Sequence, residues 1–192
     1  MSSPQKFKYP RVMMKLLLIG SLAVGKTSLI IRFVQKKFKR SVKPTIGANF
    51  LVKEFNTEAL DGNLTTFILQ IWDLAGYHHA TITEAIARRY YMGADGVFFC
   101  YDLTRAATLE DIRTWKQDLE DAIPYGKVTP ILIGNKNDLV EEREIEESDG
   151  KVLAKEIGAI DFLETSAKTG HGVEKAFHNM ALNVWKRKLG DS

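Results

Sequence analysis

Three short stretches hold residue types at spacings that could do chemistry. GSLAVGKT, Gly20 to Thr27, follows the apolar run VMMKLLLI and matches G-x-x-x-x-G-K-[ST]. Asn135-Lys136-Asn137-Asp138 follows the apolar run PILIG. DLAGYHH, Asp73 to His79, follows TTFILQIW and places an acid, a small residue and a glycine before a tyrosine and two histidines.

The first spacing suits phosphate. A loop of this length turns successive backbone N–H groups inward, here those of Ser21, Leu22, Ala23 and Val24, and the helix that follows adds its positive end. Gly20 and Gly25 permit backbone conformations that a Cβ would hinder. Lys26 reaches the outer phosphates, and the Thr27 hydroxyl is placed to coordinate Mg²⁺. A chance glycine-rich turn with a solvated lysine is the plainer alternative, but the strand–loop–helix context favours a nucleoside triphosphate. The motif is silent about the base.

The second stretch speaks to the base. A carboxylate from Asp138 can accept two hydrogen bonds, from guanine's ring N–H and its exocyclic amine. Adenine offers an acceptor at that ring nitrogen and lacks the amine, so the buried charge would be left unpaired. Asparagine and aspartate also suit ordinary turns at strand ends. The sharper reading predicts guanine.

These loops need elements to hold them. Six runs are strand-like: VMMKLLLIG, NFLVKEFN, TTFILQIWDL, GVFFCYDL, PILIGNK and, more weakly, AIDFLETS. The first, fourth and fifth are nearly continuous in hydrophobicity, as expected of central strands covered on both faces. NFLVKEFN and TTFILQIW flank LDGN, Leu60 to Asn63, and read as an antiparallel hairpin at one edge. Leu29, Ile30, Phe33 and Val34 form one face of a helix beginning near Lys26. Ile112, Leu119 and Ile123 suit a second helix, and Val173, Phe177, Met180 and Val184 a third. Strands alternating with helices predict a three-layer α/β domain, whose ligands bind at the carboxyl ends of the strands.

Composition sets the limits. The 192 residues suit a single domain, 1–192, able to build its own core, with 1–11 as an N-terminal extension. A net charge of +3 is too small to imply nucleic-acid binding. The basic run Lys36 to Arg40 and the acidic run Glu141 to Asp149 read first as solvated faces. Cys100, the sole cysteine, lies in an apolar run and reads as a small buried hydrophobe. No run approaches a membrane span, and the first residues lack a signal-peptide core, so an intracellular, soluble chain is expected.

In order, GSLAVGKTS, KPTIGANF, IWDLAG, YYMGADGVFFCYDLT, IGNKNDL and ETSAKTG resemble the motifs of Ras-superfamily small GTPases, most of all the Rab-type branch. The resemblance covers about Lys15 to Trp185. It implies the P-loop NTPase fold: a six-stranded, mostly parallel sheet with one antiparallel edge strand and five flanking helices. It also implies bound GTP or GDP with Mg²⁺, and a pair of loops that switch with the nucleotide. By this resemblance Gly20 through Ser28 form the phosphate loop, with Lys26 its phosphate-binding lysine. Thr27 and Thr45 are hydroxyl ligands to Mg²⁺, and Asp73 holds the metal through water. The Gly76 amide meets the γ-phosphate. Asn135, Lys136 and Asp138 read guanine, backed by Ser166, Ala167 and Lys168, with the Ala167 amide facing the guanine oxygen. The Phe38 ring packs against the base.

DLAGYHH departs from that family. Glutamine usually follows the glycine and orients the attacking water; here Tyr77 stands in its place, on a rigid ring with a more distant hydroxyl. Slow intrinsic hydrolysis is the expectation, with His78 and His79 as exposed loop residues. Leu22 and Ala23 replace the smaller residues common in the phosphate loop, and the segment from Gly76 to Tyr90 is somewhat longer than in most relatives. Effector, exchange factor and GTPase-activating protein are the expected partners, reached through the switch loops, with monomer as the default state. No cysteine lies near the C-terminus to carry the lipid anchor usual in Rab-type proteins, which leaves a shortened tail and a true absence of the anchor both open; a cytoplasmic location with peripheral contact at the cytosolic face of membranes is expected. A hydrolysis-deficient GTP-binding scaffold is the alternative. A P-loop kinase or ATPase would leave the Asn135–Asp138 loop unexplained.

Overall fold

The computed structural model describes residues 9–59, 62–76 and 84–190. Each apolar run becomes a strand: β1 (Arg11–Ile19), β2 (Ala48–Glu58), β3 (Leu64–Leu74), β4 (Gly96–Asp102), β5 (Thr129–Asn135) and β6 (Asp161–Thr165). Among the described residues they form one six-stranded sheet in the order β2-β3-β1-β4-β5-β6. β2 runs antiparallel to β3 and the other pairings are parallel. Leu60 and Asp61, in the predicted hairpin turn, lie outside the described residues. On either side of them the Ala59 N–H donates to the Asn63 carbonyl at 2.9 Å. β1 begins at Arg11, so the chain enters the sheet within the expected N-terminal extension.

Parallel neighbours need crossovers, and five helices flank the sheet among the described residues: α1 (Lys26–Gln35), α2 (Glu84–Tyr91), α3 (Ala106–Ala122), α4 (Glu147–Glu156) and α5 (Val173–Gly190). The period of two along each strand divides the core. Met14, Leu16, Leu18, Phe98, Cys100, Ile131 and Ile133 face α1 and α5. Leu17, Ile19, Val97, Phe99, Tyr101 and Leu132 face α2, α3 and α4. That double burial is why β1, β4 and β5 read as unbroken apolar runs. Cys100 is buried, as its neighbours in the sequence suggested.

The predicted faces of α1 and α5 are the buried ones, with Val34 at the half-buried margin. In α3, Ile112 and Leu119 are buried, whereas Ile123 is the C-cap residue rather than part of the helical face. Helix α4 grows out of the acidic run. Glu146 and Asp149 form a reciprocal capping box, and Glu147 with Asp149 sits in the first turn, where negative charge opposes the helix dipole favourably. Ile145, inside the same run, is buried. Among the described residues no helix is long and apolar enough to cross a membrane.

Aromatic packing anchors the first core layer. Phe33 stacks on Phe177 at 4.1 Å between ring centroids, and Phe98 tilts against Phe177 at 4.9 Å. This ties α1, α5 and β4 together behind the phosphate loop. Truncation there leaves a cavity that rigid neighbours cannot refill, so Phe177→Ala should cost about 3–5 kcal/mol. A urea titration read by tryptophan fluorescence would measure it, and a midpoint unchanged from wild type would contradict this account of the core.

Candidate functional site

The carboxyl ends of β1, β3, β5 and β6 open onto one cleft of about 740 Å³. Of the residues singled out from the sequence, Leu22, Ala23, Gly25, Lys26, Thr27, Ser28, Phe38, Thr45, Gly76, Asn135, Lys136, Asp138, Ala167 and Lys168 line it. Gly20, Ser21, Val24, Asp73 and Ser166 stand behind this lining and are buried. A volume of this size suits a ligand as large as a nucleotide.

The phosphate loop owes its course to two close approaches. At Gly20, with φ +140°, a Cβ would lie 2.1 Å from the Cys100 carbonyl oxygen. At Gly25, with φ +99°, it would lie 2.2 Å from Asn135 Nδ2. Both positions demand glycine on backbone and steric grounds. Gly25 is also the N-cap of α1 and makes no side-chain cap bond, so the first N–H groups of the helix face the cleft without one. Lys26 Nζ donates to the carbonyls of Gly20, at 2.6 Å, and Ser21, at 3.0 Å. Burial holds the Lys26 ammonium below the ordinary lysine pKa, and the Asp73 carboxylate partly opposes that shift.

Beside the lysine, three oxygens from three segments converge. Thr27 Oγ1 donates to Asp73 Oδ2 at 2.6 Å, Thr45 Oγ1 approaches the same oxygen at 3.1 Å, and the two hydroxyls are 3.1 Å apart. Asp73 Oδ1 is buried with no hydrogen-bond partner among the described residues. Burial raises the Asp73 pKa, with the threonine hydroxyls and Lys26 pulling the other way. Such a hard-oxygen set, with spare acceptor capacity, fits Mg²⁺. Gly76 closes over the loop: a Cβ there would lie 2.6 Å from the Leu22 nitrogen and the Ser21 carbonyl.

At the far end of the cleft, Asp138 accepts a 2.6 Å bond from the Ser166 hydroxyl and lies 3.4 Å from Lys168 Nζ. Ser166 in turn accepts the Thr169 N–H, which fixes its rotamer. The Asn135 carboxamide donates to the Val24 carbonyl at 2.8 Å and accepts from Thr165 Oγ1 and the Ala167 N–H. Arg32 on α1 braces the same corner by donating to the carbonyls of Ala167 and Lys168. Phe38 lies at the cleft's edge, 39% exposed. Tyr77, His78 and His79 lie outside the described residues.

The sequence profile of the Ras family matches residues 15–186. The chain belongs to the Ras family. Its relatives place it on the Rab-type branch. Ras-related protein Rab-17 of Homo sapiens is 38% identical over 181 residues, covering 93% of this chain and 79% of the relative. GTP-binding protein ypt2 of Schizosaccharomyces pombe is 40% identical over 178 residues, covering 92% of this chain and 84% of its own length. Ras-related protein RabG2 of Dictyostelium discoideum is 38% identical over 193 residues, covering 100% of this chain and 89% of its own.

This Rab-type GTPase carries supporting residues that motif reading passed over. Asp102 ends β4 with no exposed surface and pairs with Lys136 Nζ at 2.6 Å. Asp111 on α3 accepts a 2.5 Å bond from Ser21 Oγ. The signal for Asp102 was a carboxylate closing an apolar strand on the ligand edge. Nothing in the sequence marks Asp111 or Arg32, because their partners are loops far away along the chain.

Ala23 sits at φ +61°, in the left-handed region, and its side chain is exposed. A Cβ is strained there, so Ala23→Gly should stabilise the fold by about 1 kcal/mol. Denaturant midpoints of the two proteins check this; a lower midpoint in the glycine variant would count against a strained Ala23.

Proposed function

We propose that this Rab-type protein is a guanine-nucleotide switch that binds GTP and GDP with Mg²⁺ and hydrolyses GTP slowly when unaided. The convergence of Thr27, Thr45 and Asp73 within 3.1 Å, with Gly76 against the phosphate loop, carries the reading. Thr45 and Gly76 meet Asp73 and the phosphate loop through these contacts, so an added γ-phosphate gives both a reason to close, and its loss releases them.

In this reading the amides from Ser21 to Val24 and the Lys26 ammonium receive the phosphates, and the positive end of α1 adds to their hold. Thr27 and Thr45 offer hydroxyls to Mg²⁺ and Asp73 supports it through water; the ion supplies charge neutralisation to the phosphates. Asp138, held by Ser166, reads the guanine edge, Ala167 faces its oxygen, and Lys136, Lys168 and Phe38 cover the base. The loop that carries Thr45 also presents Ile46, which is 94% exposed. Phe50 packs on Trp72 close by, with ring centroids 5.0 Å apart. Effector, exchange factor and GTPase-activating protein would read this nucleotide-dependent face. The chain would act in the cytoplasm and at the cytosolic face of membranes; Cys100 is too deeply buried to carry a lipid.

Tyr77 decides the rate. Glutamine's amide can orient the attacking water, while a tyrosine's rigid ring carries its hydroxyl farther from the backbone. Restoring the amide with Tyr77→Gln should speed single-turnover hydrolysis by ~10²-fold, and an unchanged rate would refute this role for Tyr77. The same residue favours a second reading, a GTP-loaded scaffold. Nucleotide content after purification separates the two, GTP indicating the scaffold and GDP the switch. Base choice has its own test: Asp138→Ala should reduce the preference for GDP over ADP by about 10²-fold or more, because the analogue then leaves no charge unpaired. Equal preference before and after substitution would sink guanine recognition by Asp138.

A further inference from the structure

Two ends of the cleft are joined by a bridge whose centre, Asp102, is buried and whose outer arm, Arg105, is half-exposed. Lys136 stands in the base-side loop with φ +73°, and its ammonium reaches away from Asp138 to Asp102, at 2.6 Å. The Asp102 carboxylate also accepts the Thr104 N–H at 3.0 Å, the Thr104 hydroxyl at 2.8 Å and Arg105 Nε at 2.9 Å. The other arm of the Arg105 guanidinium donates to the Leu22 carbonyl, 2.9 Å away in the phosphate loop. Burial alone would raise the Asp102 pKa, but the bonds from Lys136, Thr104 and Arg105 outweigh it and hold the carboxyl below its usual range. The group is therefore a charged hub with its partners filled.

We propose that Asp102 and Arg105 are positioning residues that couple base recognition to the phosphate loop. The inference rests on the guanine-switch reading above and deepens it. Lys136 and Leu22 both line the cleft, one in the loop after β5 and the other in the phosphate loop. Through Asp102 and Arg105, ordering one loop fixes the anchor of the other, so the second half of the nucleotide meets a site already arranged. The planar fork of Arg105 suits the task, since it holds a carboxylate and a carbonyl at once; a lysine ammonium on a flexible stem would not.

The test is selectivity at the end Arg105 does not touch. Inosine diphosphate lacks the exocyclic amine that Asp138 reads, so the ratio of GDP to IDP affinity reports base recognition alone. Arg105→Ala should lower that ratio about 3- to 10-fold and speed GDP release by about 10-fold, as expected for losing a charge-assisted bond. Asp102→Asn, which keeps the shape but not the charge, should do the same, and Arg105→Lys should rescue only part. If Arg105→Ala speeds release but leaves the GDP-to-IDP ratio at the wild-type value, the phosphate loop has merely loosened and the coupling is overturned. Wild-type release in all three variants would overturn the bridge while leaving the guanine switch standing. A wild-type protein that bound no guanine nucleotide would instead remove the parent reading, and this one with it. Should Asp102→Asn fold poorly, the exposed half of the bridge, probed by Arg105→Ala and Arg105→Lys, still decides the matter.

Discussion

The site depends on one buried carboxamide. Asn135, at the end of β5, donates to the Val24 carbonyl and accepts from Thr165 and the Ala167 N–H, so one side chain ties the phosphate loop and the segment at the end of β6 to β5. A buried amide of this kind must have its donors and acceptors met, and Val24, Thr165 and Ala167 meet them. Its crowding also explains Gly25, where a Cβ would strike Asn135 Nδ2 at 2.2 Å. The phosphate loop can pass so close to β5 because that glycine lets it.

Around this contact the protein is arranged in two tiers. The inner tier is rigid: β1, β4 and β5 are buried on both faces, and the Phe33–Phe177 stack fixes α1 beneath the loop. The outer tier consists of Thr45 and Gly76, which meet the inner tier through the Thr45 hydroxyl's approaches to the Thr27 hydroxyl and the Asp73 carboxylate and through the Gly76 backbone against Ser21 and Leu22. A few polar contacts can be made and lost in response to a ligand, whereas a packed core cannot. Membership of the Ras family accords with that division between a fixed binding frame and loops that respond to it.

Much of the site was legible because its residues sit beside one another in the chain. GSLAVGKT, the Asn135–Asp138 stretch and the SAK segment each declare themselves through spacing, and the cleft gathers them as the α/β arrangement requires. Helices α2 and α4 were not read from the sequence, since both are short and α4 emerges from a run that is mostly charged. Asp102, Arg105, Asp111 and Arg32 escaped notice for a different reason. Each is an ordinary polar residue on a strand end or helix, and its purpose lies in a partner far away in the chain.

The sequence by itself determined the sheet, the order of its loops and the chemistry of the groups on them, because periodicity and local spacing fix which side chains emerge at a strand's end. Only the tertiary structure decided which of those groups meet. The Thr27–Thr45–Asp73 cluster joins residues separated by 18 and 28 positions, and Ser21 finds Asp111 across 90. Such pairings follow from sheet order and helix packing, which are set by the burial of many weakly directional apolar side chains at once. No local stretch of the chain contains that information.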